Sequence, residues 1–299
     1  MKLENEILTQ FSRCLIINYN EYQEVNMIKG CTIFDCTLRE VGYQTGWYFD
    51  VEFVRDIYRF AQGKGIDYVE LGFFHNEEAD PGKGDFRYCS IRNERIVDIF
   101  KQTKNVTKIS VMRDVQRPLS NLLPQKETVI DTIRVLTRSH ETDFAVLDKH
   151  VDEMNKLGYE IFINFTSAGY NSIEMNKRFV DYALKKGVKS VEFADTESVM
   201  TVDYVINTIK MCHDAGIKCG VHLHDKNGTA DLLADTALEH GADYMDVTHL
   251  GLGGKWRDGN LTMEYLLRKL DVNGGYESTI VKNKLIEQLI KYKEFSAAE

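Results

Sequence analysis

The sequence predicts a (β/α)8 barrel, or TIM barrel, with a short N-terminal extension and a C-terminal helix. From Cys31 onward, β-rich runs alternate with helical runs, and eight such units fit into about 240 residues, a typical barrel size. An open doubly wound sheet is the alternative, but no glycine-rich phosphate turn follows the first strand. We therefore predict an extension over residues 1–30 and a barrel domain, with the catalytic site, over residues 31–299.

Each element follows from its residue pattern. Runs rich in β-branched and aromatic residues predict strands at 31–37, 66–74, 107–113, 132–137, 160–165, 190–194, 218–224 and 243–248. Apolar residues at helical spacing predict helices at 50–63, 93–103, 119–126, 143–156, 172–185, 201–215, 227–239 and 262–270. An outer helix is expected at 279–295.

Composition limits the possible partners. The chain of 299 residues has 37 lysines and arginines against 46 acidic residues, and its net charge of -9 argues against nucleic acid or anionic membrane as a partner. It has no apolar run of about 20 residues that could cross a bilayer. The six cysteines have no zinc-ribbon or redox spacing, so reduced thiols and a cytoplasmic location are expected.

Two histidines near the end of the seventh strand point to a metal site. Alternate residues of a strand share a face, so His222 and His224 can bind one ion. The first strand ends nearby in the barrel with Asp35, followed by Arg39 and Glu40, and either carboxylate could be the third ligand. Strand alternation would place Asp35 and Arg39 on one face, with Glu40 at the turn.

Further polar residues are expected at the same end of the barrel. Asn260 follows a glycine-rich loop after the eighth strand and could offer its carbonyl oxygen as a fourth ligand. The sixth strand ends in Asp195 and Thr196, and the threonine hydroxyl could donate to a substrate carboxylate. Lys255 and Arg257 could recognise an anionic substrate group, although a solvated loop is the simpler interpretation.

Four motifs in order resemble those of the DRE-TIM metallolyase superfamily, over about residues 31 to 270. They are Asp35-x-Thr-Leu-Arg39-Glu40, Ala-Asp195-Thr196, His222-x-His224-Asp225, and Gly251-x-Gly253 running to Gly259-Asn260. The resemblance implies a divalent metal, Mg²⁺ or Mn²⁺ with Co²⁺ or Zn²⁺ as alternatives. The implied ligands are Glu40, His222, His224 and Asn260.

The resemblance also implies roles for other residues. Arg39 would stabilise an enolate oxygen, Asp35 would orient Arg39, and Thr196 would hold the substrate carboxylate. Tyr43 stands where the related hydroxyoxovalerate aldolases have histidine, so it is a candidate proton-transfer group if its pKa falls well below about 10. Gln44, next to it, is a candidate substrate contact.

The predicted function is a metal-dependent aldolase or lyase that makes or breaks a carbon-carbon bond of a 2-oxo acid, pyruvate being the simplest, through a metal-bound enolate. Lys255 replaces the cysteine of HMG-CoA lyases, which argues against that activity. One alternative is a Claisen-type synthase similar to homocitrate or isopropylmalate synthase, which joins an acyl-CoA to a 2-oxo acid. Another is a barrel that binds metal and ligand without turnover. We expect a homo-oligomer, with a dimer favoured.

Overall fold

Eight parallel strands close into a barrel in the computed structural model, which describes residues 30–74, 83–87, 99–100, 107–117, 122–272 and 279–296. The strands pair in chain order, and the last pairs with the first. They are β1 (Thr32–Asp35), β2 (Tyr68–Phe73), β3 (Lys108–Asp114), β4 (Thr132–Arg138), β5 (Glu160–Thr166), β6 (Ser190–Asp195), β7 (Lys218–Leu223) and β8 (Tyr244–Val247). The predicted barrel fold is confirmed.

The described helices are mostly amphipathic and pack their apolar faces on the barrel. They are α1 (Thr37–Thr45), α2 (Val51–Lys64), α3 (Phe144–Leu157), α4 (Ile173–Lys185), α5 (Val202–Asp214), α6 (Ala230–Glu239), α7 (Met263–Lys269) and α8 (Thr279–Tyr292). Short 3-10 helices lie at Gln125–Glu127, Ser139–Glu141, Ala168–Tyr170, His249–Gly251 and Lys293–Phe295. Among the described helices, none has the length and apolar character needed to span a membrane.

Two predicted elements differ from the structure. The first strand ends at Asp35 instead of continuing to residue 37, and α1 follows it after one residue. In the predicted helix 119–126, the described part contains only the 3-10 turn Gln125–Glu127, next to Pro124. Most of the predicted helix 93–103 and all but the last residue of the extension 1–30 lie outside the described residues.

Aromatic rings fill the lower interior of the barrel, near the N-terminal ends of the strands. The rings of Phe34 and Tyr68 stack with centroids 4.2 Å apart, and Phe162 and Tyr244 meet edge to face at 5.0 Å. Phe34 also contacts Phe162 at 5.3 Å. These four residues, the aromatic layer, close the lower end of the barrel and form an apolar floor for the upper interior.

A charged layer lies above the aromatic layer. It consists of one inward-facing residue from each even-numbered strand: Glu70, Arg134, Glu192 and Asp246. The Arg134 guanidinium donates to Glu70 Oε2 at 3.0 Å, to Asp246 Oδ2 at 2.6 Å, and to Glu192. All four side chains are buried, so the carboxylates need charge compensation, and Arg134 contacts all three of them.

Candidate metal centre

Helix α1 carries three polar side chains toward the barrel axis. Arg39 and Glu40 are adjacent, and Tyr43 follows them by four and three residues, so all three lie on one side of the helix. The helix starts because Asp35 Oδ1 accepts hydrogen bonds from the backbone N–H of Thr37 at 3.0 Å and from its hydroxyl at 2.5 Å. Strand alternation, which the sequence suggested for this segment, is therefore wrong for Arg39, which a helix positions instead.

The structure brings together the three predicted ligands Glu40, His222 and His224. Each offers a ligand atom, and these atoms all lie within 4.8 Å of one another. The two imidazole rings are 5.0 Å apart between centroids, one on β7 and one just after it. All three side chains are buried.

A carboxylate fixes the orientation of His222. Its Nδ1 lies 2.8 Å from Asp246 Oδ2 in the charged layer, and its Nε2 lies 3.3 Å from Glu40 Oε1. Burial lowers the pKa of His222, but Asp246 and Glu40 outweigh burial and raise the pKa to about 9. A carboxylate on one ring nitrogen leaves the other as the ligand atom, as is common for metal-bound histidines.

The glycine-rich loop after β8 completes the site. His224 Nδ1 lies 3.3 Å from Asp258 Oδ1, and both amide atoms of Asn260 are buried with no hydrogen bond to any described residue. Gly254 donates its backbone N–H to Glu40 Oε2 at 3.0 Å. At Gly253, with φ of 129°, an added Cβ would lie 2.4 Å from the Glu40 Cβ. Only glycine therefore lets the loop approach Glu40 this closely.

Arg39 lies beside the ligand cluster. Its Nε donates to Glu70 Oε1 at 2.6 Å, and its NH1 donates to Glu40 Oε1. Its NH2 is buried 4.0 Å from Asp246 Oδ2 and makes no hydrogen bond within the described part of the chain. Burial opposes ionisation of Glu40, but Arg39 and then His222 hold the pKa of Glu40 well below its usual range. Glu40 is therefore an anion at neutral pH.

The donor set fits a divalent cation. One carboxylate, two imidazoles and the unpartnered Asn260 amide are suitable ligands for such an ion, and a set of this kind leaves positions for substrate. The charges also favour a cation, because the pKa values of Glu40 and Asp246, which lie on either side of His222, are held well below their usual range, so both carboxylates are anions at neutral pH.

Tyr43 lies next to this cluster, but its electrostatics differ from the expectation. Burial and then the charge of Glu40 raise its pKa, and the opposing effects of Arg39 and Arg87 are smaller. The lowered pKa that the sequence analysis set as a condition for proton transfer by Tyr43 is therefore not supplied by the protein groups around it. A phenol that keeps its proton at neutral pH is suited to donate a proton or a hydrogen bond.

The residues expected to contact substrate differ in which of their side-chain atoms are already hydrogen-bonded within the protein. Thr196 follows β6, and its Oγ1 accepts from the backbone N–H of Ser167 at 2.9 Å, which leaves its own proton available. Asp195 instead accepts from the backbone N–H groups of residues 199–200 through Oδ1, so it shapes the turn after β6. The Gln44 Oε1 is buried and accepts no hydrogen bond from the residues described.

Lys255 and Arg257 lie outside the ligand cluster. The Lys255 ammonium lies 5.3 Å from the ring of the exposed Trp256, and Lys255 is itself exposed. The Arg257 guanidinium donates to Ser296 Oγ at 2.7 Å, toward the C-terminal segment. The structure does not bring either cation to the proposed ligands.

Asp35 contacts Thr37 and His249, not Arg39. Its Oδ2 lies 3.2 Å from His249 Nε2, and both side chains are fully buried. Among the described residues, Asp35 and Arg39 make no direct contact, so the predicted orientation of Arg39 by Asp35 would have to act through the start of α1, where Asp35 accepts from Thr37.

The sequence-based prediction missed the charged layer. Two of its members contact site residues directly: Glu70 accepts from Arg39, and Asp246 contacts His222. The layer therefore supports the ligand cluster from below. A signal was present, because Glu70, Arg134, Glu192 and Asp246 each interrupt an apolar strand. A charge inside such a strand requires a buried partner.

Comparisons with known proteins agree with this fold. A family model described as HMGL-like matches residues 31–295. The 4-hydroxy-2-oxovalerate aldolase of Carboxydothermus hydrogenoformans is 25% identical over 279 residues, 87% of this chain and 76% of that protein. The mitochondrial homocitrate synthase of Saccharomyces cerevisiae is 28% identical over 243 residues, 78% of this chain and 53% of that protein.

A solved structure shows the same architecture. The HMG-CoA lyase of Bacillus subtilis superposes with a TM-score of 0.63 at 18% identity, over 89% of this chain and 93% of that one. At this identity the likeness concerns the fold alone. The chain spans about half the length of the synthases that it matches.

Proposed function

The chain belongs to the HMGL-like family of metal-dependent enzymes that act on small 2-oxo acids, and we propose that it is a carbon-carbon lyase of the aldolase type. The observation that carries the proposal is the buried cluster of Glu40, His222 and His224 with Arg39 at its edge. Asn260 is the proposed fourth ligand. Mg²⁺ and Mn²⁺ are the proposed ions, with Co²⁺ and Zn²⁺ as alternatives.

Arg39 is the proposed residue that stabilises negative charge, together with a divalent cation if one is bound at this site. A divalent cation held by these residues would act as a Lewis acid toward the carbonyl oxygen of the 2-oxo acid. Arg39 places its unpartnered NH2 group at the same cluster, where it can donate to an oxygen that gains charge as the carbon-carbon bond changes. Glu70 holds the guanidinium in place from below.

The substrate carboxylate and the transferred proton need further groups. Thr196 can donate its hydroxyl proton to the carboxylate, because Ser167 uses only the oxygen of that hydroxyl. Tyr43, with its raised pKa, is the proposed proton donor to the carbon that becomes a methyl or methylene group. In the opposite direction the phenolate form of Tyr43, a minor species at neutral pH because its pKa is raised, would accept that proton.

Proton exchange tests this proposal. With Mn²⁺, the protein in deuterium oxide should replace the C3 protons of pyruvate or a longer 2-oxo acid, measured by proton NMR. Glu40→Gln should lose both bound Mn²⁺ and exchange, whereas the same change at the exposed Glu141 should lose neither. Tight metal binding without exchange on any 2-oxo acid would contradict an enzyme and favour a binding barrel.

The synthase alternative rests on a specific observation. Homocitrate and 2-isopropylmalate synthases match most of this chain at 28% and 26% identity. Release of free thiol from an acyl-CoA that depends on a 2-oxo acid would support the synthase. Formation of pyruvate without CoA would support the aldolase.

A further inference from the structure

Trp47 adopts an unusual backbone conformation just after α1. Its φ is 60°, in the left-handed region that residues with a side chain rarely adopt. The indole folds back onto Gly42, where an added Cβ would lie 2.1 Å from the indole nitrogen. The ring is 2% exposed, and its N–H is buried without a hydrogen-bond partner among the residues that the structure describes. The chain thus keeps a strained, incompletely satisfied tryptophan at this place.

The segment 83–87, which follows β2, docks on the end of α1. Gly84 donates its backbone N–H to the Gly46 carbonyl at 2.8 Å. An added Cβ at Gly84 would lie 2.1 Å from the Trp47 carbonyl oxygen, so the approach requires glycine. Gly46, Gly84 and the strained Trp47 therefore fix the position of the segment relative to α1.

This docking places Arg87 over two aromatic rings. Its guanidinium carbon lies 4.3 Å from the Trp47 ring centroid and 4.7 Å from that of Phe73, the last residue of β2. Trp47 in turn contacts the ring of Tyr43 edge to face at 4.7 Å. The two rings hold the guanidinium at the C-terminal end of the barrel, beside the proposed proton donor.

We propose that Arg87 is a specificity residue that binds a second carboxylate, in the tail of the 2-oxo acid. The inference rests on the proposed function, with the reacting end of the substrate at Arg39 and the tail beyond Tyr43. A guanidinium presents five N–H donors in a fixed fork, which suits a carboxylate even when one edge has another partner. The preferred substrate class is therefore a 2-oxo dicarboxylic acid.

Two acids with the same five-carbon chain test the proposal. 2-Oxoglutarate has a terminal carboxylate and 2-oxopentanoate has none. Calorimetric titration of the Mn²⁺-loaded protein should show tighter binding of 2-oxoglutarate. Arg87→Met should weaken its binding by about 10- to 100-fold, the usual scale for a charged hydrogen bond, and leave 2-oxopentanoate unchanged. Arg87→Lys should restore part of the preference.

A matched control and a second readout separate the possible failures. Lys83→Met removes a cation from the same segment and should leave the preference intact. Equal binding of both acids by the parent, or equal losses for both in Arg87→Met, would overturn the role of Arg87. Deuterium exchange on the same samples tests the proposed function: binding with the expected preference but no exchange would retain Arg87 as a recognition residue and reject catalysis. Failure of both acids to bind would reject both proposals.

Discussion

The lower and upper halves of the barrel interior are built on opposite principles. In the aromatic layer, Phe34, Tyr68, Phe162 and Tyr244 satisfy one another through ring contacts, and the Tyr244 hydroxyl pairs with Ser190 at 2.8 Å. In the upper half, several buried polar atoms have no hydrogen-bond partner among the described residues: Arg39 NH2, His222 Nε2 and both amide atoms of Asn260.

This difference indicates that the lower half of the barrel interior serves stability and the upper half serves chemistry. Buried unsatisfied polar groups each cost roughly 1–3 kcal/mol, so they persist where function requires them. The aromatic layer bears no such cost and can stabilise the barrel that carries the site. Changes in the lower half should therefore alter folding without altering metal binding, and changes in the upper half should alter metal binding.

Phe162→Ala should have the largest effect on folding. Removing a buried phenylalanine ring typically costs about 3–5 kcal/mol, because a cavity remains. Urea unfolding of the metal-free protein should show this loss, while calorimetry should show unchanged Mn²⁺ affinity. A Phe162→Ala protein that folds but binds Mn²⁺ tenfold more weakly would contradict the separation of the two halves.

The pH dependence of folding should also divide the two halves. His222 has a folded pKa of about 9 against an ordinary value of 6.5, so its contribution to the stability of the metal-free protein is complete below pH 6.5 and lost as pH rises through 9. The loss should be up to roughly 3 kcal/mol. Unfolding measured from pH 6 to 9.5 should show it.

Variants identify the source of this pH dependence. His222→Gln should remove the part above pH 7, and Phe162→Ala should keep it, while Glu192, whose pKa burial raises to about 7, contributes to the part below pH 7. In the lower half, burial raises the pKa of Tyr68 and Tyr244, so these phenols stay protonated throughout this range. Binding of Mn²⁺ should release a proton below pH 9, so metal affinity should increase with pH. Parallel pH curves for the parent and His222→Gln would assign the effect to another group.

Asp246→Asn should have a moderate effect confined to the upper half. Asp246 orients His222 at 2.8 Å, and loss of such a partner typically lowers metal affinity about 10- to 100-fold. Calorimetry with Mn²⁺ measures this loss. The control is Asp243→Asn, because Asp243 lies on the same side of the barrel but accepts a hydrogen bond from the backbone N–H of Cys219. Equal affinities of the parent and Asp246→Asn would exclude a positioning role.

The fold was predictable because its signals are local. All eight strands were found within a few residues, since each is a short apolar run between turns. The helix α1 was missed because it follows β1 after one residue and has nine residues. The apolar positions Leu38 and Val41, three apart and both buried, were the available helical signal.

The candidate site was predictable only in part. The His-x-His spacing fixes two side chains on one strand face, and the structure places Glu40 beside them. Partner choice was not predictable, because Asp35 pairs with His249, 214 residues later, and Asp246 pairs with His222 across neighbouring strands. Such pairings depend on barrel register, which a single sequence does not specify.

Lys255→Ala and Arg257→Ala should have the smallest effect. Both cations are exposed, and Arg257 bonds to Ser296 on the C-terminal segment. Exposed charges of this kind contribute about 0–1 kcal/mol, so the apparent Michaelis constant for a 2-oxo acid should change less than about fivefold. Steady-state kinetics of the double variant measures this, with Arg87→Met as the comparison. A tenfold increase confined to an anionic substrate would instead bring the glycine-rich loop into substrate recognition, so that the upper half would extend to the exposed rim of the barrel.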